Sequence, residues 1–249
     1  KEWIVFGLQA LLTVGAPLWL LLEPGNSVAF VLFLASLLSA QKIRLPLWAR
    51  ALVIVVDLVV VMPLVGVTSG TFARVATVIG IYAVLAIGLN IVVGYTGLLN
   101  LGYAAFYAVG AYLYAIFAST QANAFWPSGG FPLSGNWFWL FLLLALVVTG
   151  LVGFLLGLPV LRLKGDYLAV VTLGFAEIIR LLCNNLNQPI NITNGPMGIT
   201  PIQPPMLFSL KLDKPIHFYL IVLVLLAVTV VVVRNLQNSR IGRAWVAIR

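Results

Sequence analysis

Polar residues are rare along this chain and fall between long apolar runs. Eight runs approach the roughly 20 residues that a helix needs to cross a bilayer. They occupy 3–22, 27–41, 51–67, 74–93, 103–119, 137–158, 168–186 and 216–234. Each predicts a helix, because a backbone in lipid must satisfy its own hydrogen-bonding groups. The runs at 27–41 and 103–119 are short, and would tilt less or lie partly outside lipid. Trp3, Trp19, Trp48, Trp126, Trp137 and Trp139 sit near run ends, as an aromatic belt would. The run 3–22 is too long for a signal-peptide core and lacks a convincing small-residue cleavage site, so it is read as a span. The pattern predicts an all-α, polytopic helical membrane protein of about eight transmembrane helices, with broken or Gly-rich helices near the centre. No loop is large enough to be a domain, so 1–249 is read as a single transmembrane domain.

Composition strengthens this reading. Hydrophobic residues make up 62% of the chain and charged residues 8%, against roughly 45–50% and 25% in a soluble domain. A net charge of +8 would suggest nucleic acid in a soluble chain, but its distribution points elsewhere. With Lys1 inside, eight crossings gather Lys1, Lys42, Arg44, Arg50, Arg162, Lys164, Arg234, Arg240, Arg243 and Arg249 on one side. The other side holds Arg74, Lys211 and Lys214, and Arg180 lies within a span. Ten against three predicts that both ends of the chain are cytoplasmic. The single cysteine, Cys183, lies in a span and can form no internal disulfide.

Candidate chemistry gathers in two segments. Leu161 to Arg180 reads LRLKGDYLAVVTLGFAEIIR, where a basic loop enters an apolar helix carrying Glu177 and Arg180. Charge at mid-bilayer is costly and marks a task. At i and i+3 the two side chains can neutralise each other, and Asn184 shares their arc. This stripe is expected to point into a bundle or a water-lined path. The second segment, Ala86 to Gly110, reads AIGLNIVVGYTGLLNLGYAAFYAVG. Its turn at 94–102 should be cytoplasmic, yet it has no basic residue and is nearly as apolar as a span. Irregular backbone at membrane depth must be buried in protein or line a cavity, and its free groups are devices that transport sites use. Tyr103, Tyr107, Gly110 and Tyr114 fall on one arc of the following helix, and Asn90 shares a face with Ala83 and Ala86. Close packing through small residues is the first reading of the glycines, with polar hydrogen bonds as glue the alternative for Asn90 and Asn100. Outside, 120–136 is uncharged and turn-rich, whereas 187–215 holds six prolines (189, 196, 201, 204, 205 and 215) that favour a stiff, extended excursion.

Four stretches carry a family resemblance. GLNIVVGYTGLLNLGYAAFYAVGAY and LRLKGDYLAVVTLGFAEIIR closely resemble the LivM-type permease subunit of bacterial branched-chain amino acid ABC importers. NITNGPMGI resembles that family's outer-loop T-G-G-P-x-G-I pattern, with Asn194 in place of the first glycine. RIGRAWVAIR resembles the approach to its cytoplasmic coupling loop. The likeness runs from about Gly80 to Arg249, so 71–249 is taken as the permease core and 1–70 as a divergent N-terminal part. It implies a bacterial inner-membrane subunit for branched-chain or other neutral amino acids. The partners it implies are a second homologous permease, two cytoplasmic ATPase subunits and an external solute-binding protein. ATP and Mg would be bound by those partners, since this chain has no G-x-x-x-x-G-K-[ST] loop and no cofactor of its own. The expected substrate path comprises Asn90, Thr96, Asn100, Tyr103, Tyr107, Thr172, Glu177 and Arg180. The expected ATPase-coupling residues are Arg240, Arg243, Trp245 and Arg249. Family members continue beyond the Arg249 position, and this chain lacks an initial Met, so the core is expected to be incomplete at its C-terminus.

Other readings share the hydropathy. A urea or short-amide ABC permease would share the fold. An ion-coupled secondary transporter would need no ATPase and could use Asp57, although Asp57 is expected near the inner end of the third span, in a snorkelling or helix-terminus role. A membrane enzyme lacks its parts: there is no HExxH, and His217 is the only histidine. A purely structural subunit leaves the polar stripe unexplained.

Overall fold

Each apolar run is helical over most of its described residues in a computed structural model of the chain, which describes residues 13–40, 46–127, 130–160, 166–207 and 210–248. Five helical stretches are long and apolar enough to cross a bilayer: Arg50–Thr68, Gly70–Tyr95, Gly135–Leu158, Tyr167–Asn185 and Pro215–Gln237. Three are shorter: Thr13–Leu22, Ser27–Ser39 and Tyr103–Phe117. Eight runs were expected as spans, and among the described residues five of the corresponding helices reach spanning length. Of the first run, residues 3–12 lie outside the described residues, as do Trp3 and the basic residues Lys1, Lys42, Arg44, Arg162, Lys164 and Arg249.

In chain order the helices are α1 (described over Thr13–Leu22), α2 (Ser27–Ala40), α3 (Leu47–Val56), α4 (Met62–Thr68), α5 (Gly70–Asn90), α6 (Tyr103–Phe117), α7 (Phe138–Val160), α8 (Asp166–Asn185), α9 (Pro215–Gln237) and α10 (Arg240–Ile248). A π-helical turn at Asp57–Val61 joins α3 to α4. Pro63 accounts for it: proline has no N–H and its ring displaces the carbonyl four residues earlier, so the ladder widens by one residue. The Tyr219 hydroxyl donates to Leu58 O at 2.8 Å within that turn.

By packing, the chain divides into two compact units, 1–84 with 214–228, and 85–213 with 229–249. The first is centred on Leu20, Phe30, Phe33, Met62, Val65, Phe72, Ile216 and Tyr219, all buried. Phe30 and Phe72 stack with centroids 4.4 Å apart. In this unit Asp57 is 5% exposed, at the start of the π turn. That corrects the expectation of a snorkelling or helix-end carboxylate: the residue sits mid-helix among apolar side chains.

In the second unit α6 packs against α7 and α8. The stretches 120–136 and 187–215 fold onto the ends of α6 and α7. The Tyr114 hydroxyl donates to Gln203 O at 2.9 Å, Gln203 N–H to Ala118 O at 2.9 Å, and Trp139 Nε1 to Met206 O at 2.8 Å. Gly135 lacks a side chain where Pro204 O and Met206 crowd it. The proline-rich stretch is therefore anchored at Gln203 and Met206, and it includes a two-residue antiparallel ladder pairing Met206 with Lys211 and Leu207 with Leu210. Asn194 adopts φ 60°, a left-handed conformation. Asparagine tolerates that region better than most residues, which explains how it replaces a glycine.

Candidate functional site

The Gly-rich segment forms a real break. After α5 the chain widens into a π turn at Ile91–Tyr95, and Gly97, at φ 71°, ends the helix. The Asn90 side chain lies where a Cβ on Gly94 would stand. Thr96 Oγ1 bonds back to Val92 O, and Leu98 N–H reaches the same carbonyl at 3.3 Å. Asn100 Oδ1 then accepts Gly102 N–H at 2.9 Å, a local side-chain turn that replaces a backbone one.

This irregular strip is pinned to α8. Leu101 N–H donates to Thr172 Oγ1 at 3.1 Å, while that hydroxyl donates to Ala169 O at 3.0 Å. The Thr172 carbonyl is pressed against Gly102 so closely that a Cβ there would overlap it, and the Tyr103 hydroxyl covers Gly88 in the same way. The strip thus finds in protein what lipid cannot supply. Beside it is a cavity of about 100 Å³ with Asn100 and Thr172 as polar lining. Phe106, Gly153, Leu156, Gly157, Val171 and Phe175 form its apolar walls.

Asn90, Thr96, Asn100, Tyr103 and Thr172 therefore gather around one break. Tyr107 does not: it faces outward from α6, 49% exposed. Glu177 and Arg180 lie apart from it too. Arg180 Nε donates to Glu177 Oε2 at 2.9 Å and Nη2 to Oε1 at 2.6 Å, a forked pair. Thr172 precedes Glu177 by five residues, which on an α-helix places it on a different face. The pair was expected to point into the bundle or a water-lined path. Within this chain it is uncovered, with side chains 64% exposed for Arg180 and 50% for Glu177.

At the other end of the break, α10 packs against the π turn, and the Gln237 amide donates to the Tyr95 hydroxyl. Arg240 and Arg243 are exposed on α10 while Trp245 is half-buried, the pattern of a surface helix. Arg249 lies outside the described residues. The Gln237–Tyr95 bond and the Gly102–Thr172 contact were not foreseen. The glycine spacing was the only trace of the second, and nothing local marks the first. Among the described residues, no group of three or more His, Cys, Asp or Glu side chains could hold a metal ion.

Apolar helices, a break pinned within protein and a terminal basic helix describe a polytopic membrane permease. Residues 71–249 match the family described as "Branched-chain amino acid transport system / permease component", and the chain belongs to that family. It is similar to the high-affinity branched-chain amino acid transport system permease protein LivM of Salmonella typhimurium, with 40% identity over 198 residues, covering 70% of this chain and 43% of the relative. It is also similar to the protein of the same description from Escherichia coli (strain K12), with 36% identity over 247 residues, covering 90% of this chain and 53% of the relative. The chain spans about half the length of these curated relatives. No solved structure matches it.

Proposed function

We propose that this chain is a permease subunit of an ABC importer that carries branched-chain or other neutral amino acids into the cell. The observation that carries the reading is α10, a basic amphipathic helix packed on the π turn of a broken membrane helix. Force applied to α10 from the cytoplasm would reach Tyr95, then the strip 97–102, then Thr172 on α8. Arg240, Arg243 and Trp245 would contact an ATPase subunit, and Asn90, Thr96, Asn100, Tyr103 and Thr172 would move as its push arrives. ATP and Mg belong to the two ATPase subunits. A second homologous permease completes the path, and an external solute-binding protein supplies substrate. The excess of basic residues beside Arg240 supports cytoplasmic ends in a bacterial inner membrane, and both packing units are read as one permease domain.

Purification from native membranes followed by reconstitution with the proteins that accompany the chain tests this. The expected result is ATPase and permease partners and leucine uptake that requires ATP. Uptake driven by an ion gradient without ATP would overturn it. A single cysteine at Met197, in a Cys183→Ser background, should react with an impermeant thiol reagent in whole cells, whereas one at Arg240 should not.

A further inference from the structure

The Glu177–Arg180 pair uses only part of its bonding capacity. Arg180 donates through Nε and Nη2, leaving Nη1 without a partner among the described residues, and each Glu177 oxygen accepts one of these bonds. A guanidinium has five N–H donors and a carboxylate about four acceptor sites, so both groups can take a further ligand without separating. The pair is open to such a ligand, with both side chains at least half exposed. Leu173 and Leu181, four residues before and after Glu177, are 53% and 47% exposed and share its face. The result is a neutral pair of opposite charges framed by aliphatic side chains, on a helix of spanning length.

We propose that this face of α8 recognises the zwitterionic head of an α-amino acid during transport, an inference that rests on the importer reading above. The substrate carboxylate would bond Arg180 Nη1, its ammonium would bond the free acceptor positions of Glu177, and its aliphatic side chain would lie along Leu173 or Leu181. A zwitterion adds one charge of each sign and no net charge, so both new contacts are attractive and the site stays neutral. An α-keto acid brings only the anion and meets Glu177 unfavourably. An amino acid amide brings only the cation and meets Arg180 unfavourably. Urea has neither charge.

The test uses the assembled importer in nanodiscs and a diazirine analogue of leucine, photolysed during turnover. The Tyr167–Asn185 segment should be labelled. Excess leucine should suppress that labelling, whereas 4-methyl-2-oxopentanoate and leucinamide should not; these competitions need no substitution. In Glu177→Gln with Arg180→Met, eluting as an intact complex, labelling should fall by about tenfold or more, because two charge-assisted contacts are lost. Labelling unchanged by that double substitution, or suppressed equally by the keto acid, overturns the inference. If wild-type import of leucine continues alongside either outcome, the importer reading stands. If the wild-type complex imports no leucine, that reading fails and this inference with it.

Discussion

Two sites place ionisable groups inside spanning helices and treat them in opposite ways. Asp57 is buried in the first packing unit, with no hydrogen bond or ion pair to its carboxylate among the described residues. Glu177 and Arg180 are paired with good geometry, yet uncovered. A buried polar group is tolerated when the fold around it outweighs its desolvation. An uncovered pair cannot be tolerated in lipid on those terms, and so it marks a surface that water or another protein must complete. The first site is covered by the chain itself, and the second is not. Asp57 also precedes residue 71, where the family match begins.

The comparison can be broken at its functional end. Glu177→Gln leaves Arg180 without its countercharge, and the yield of assembled complex from membranes should fall by about tenfold, whereas adding Arg180→Met should restore yield without restoring transport. Full transport by the double variant would show that the pair is neither scaffold nor site.

A second effect falls on the clamp behind that face. Gly102→Val forces a side chain into the Thr172 carbonyl. The expected cost is about 2 kcal/mol or more, since backbone must move. Hydrogen–deuterium exchange should speed up selectively over 97–103. Unchanged exchange would mean that the strip is not held by α8.

Asp57 sharpens the contrast from the other side. If its burial is only a structural cost, Asp57→Leu should stabilise the protein in detergent by about 1–3 kcal/mol, read as a raised Tm, with uptake unchanged. A stable variant that loses uptake would make Asp57 functional as well.

The smallest effect lies outside the spans, in the turn between α1 and α2. Asn26 Nδ2 and Trp19 Nε1 donate to Glu23 Oε2 at 3.0 and 3.2 Å, and these bonds hold its carboxyl below the usual range. A lowered folded value means that the contribution is present above the unfolded value and fades as the pH falls through the folded one. Melting curves of wild type and Glu23→Gln should therefore differ slightly near neutrality and converge in acid.

Periodicity and composition placed the long apolar helices, though not α10, because spanning length and apolar character are local properties of a run. The identity of the break was also legible: Gly94, Gly97 and Gly102 stand where a side chain or an ordinary φ is excluded. So was the pairing of Glu177 with Arg180, since i and i+3 always meet on a helix. What sequence could not decide was which groups would be covered. Asp57 looked like a residue near a membrane surface and is buried at the start of the π turn, because burial is set by packing that a linear pattern does not show. The charged stripe of α8 looked internal and is open within this chain, because coverage depends on which helices pack beside it and not on the helix's own pattern. Thr172 meeting Leu101, and Gln237 meeting Tyr95, join residues 71 and 142 positions apart. Contacts at that separation leave no periodic trace, and only the packed helices bring them together.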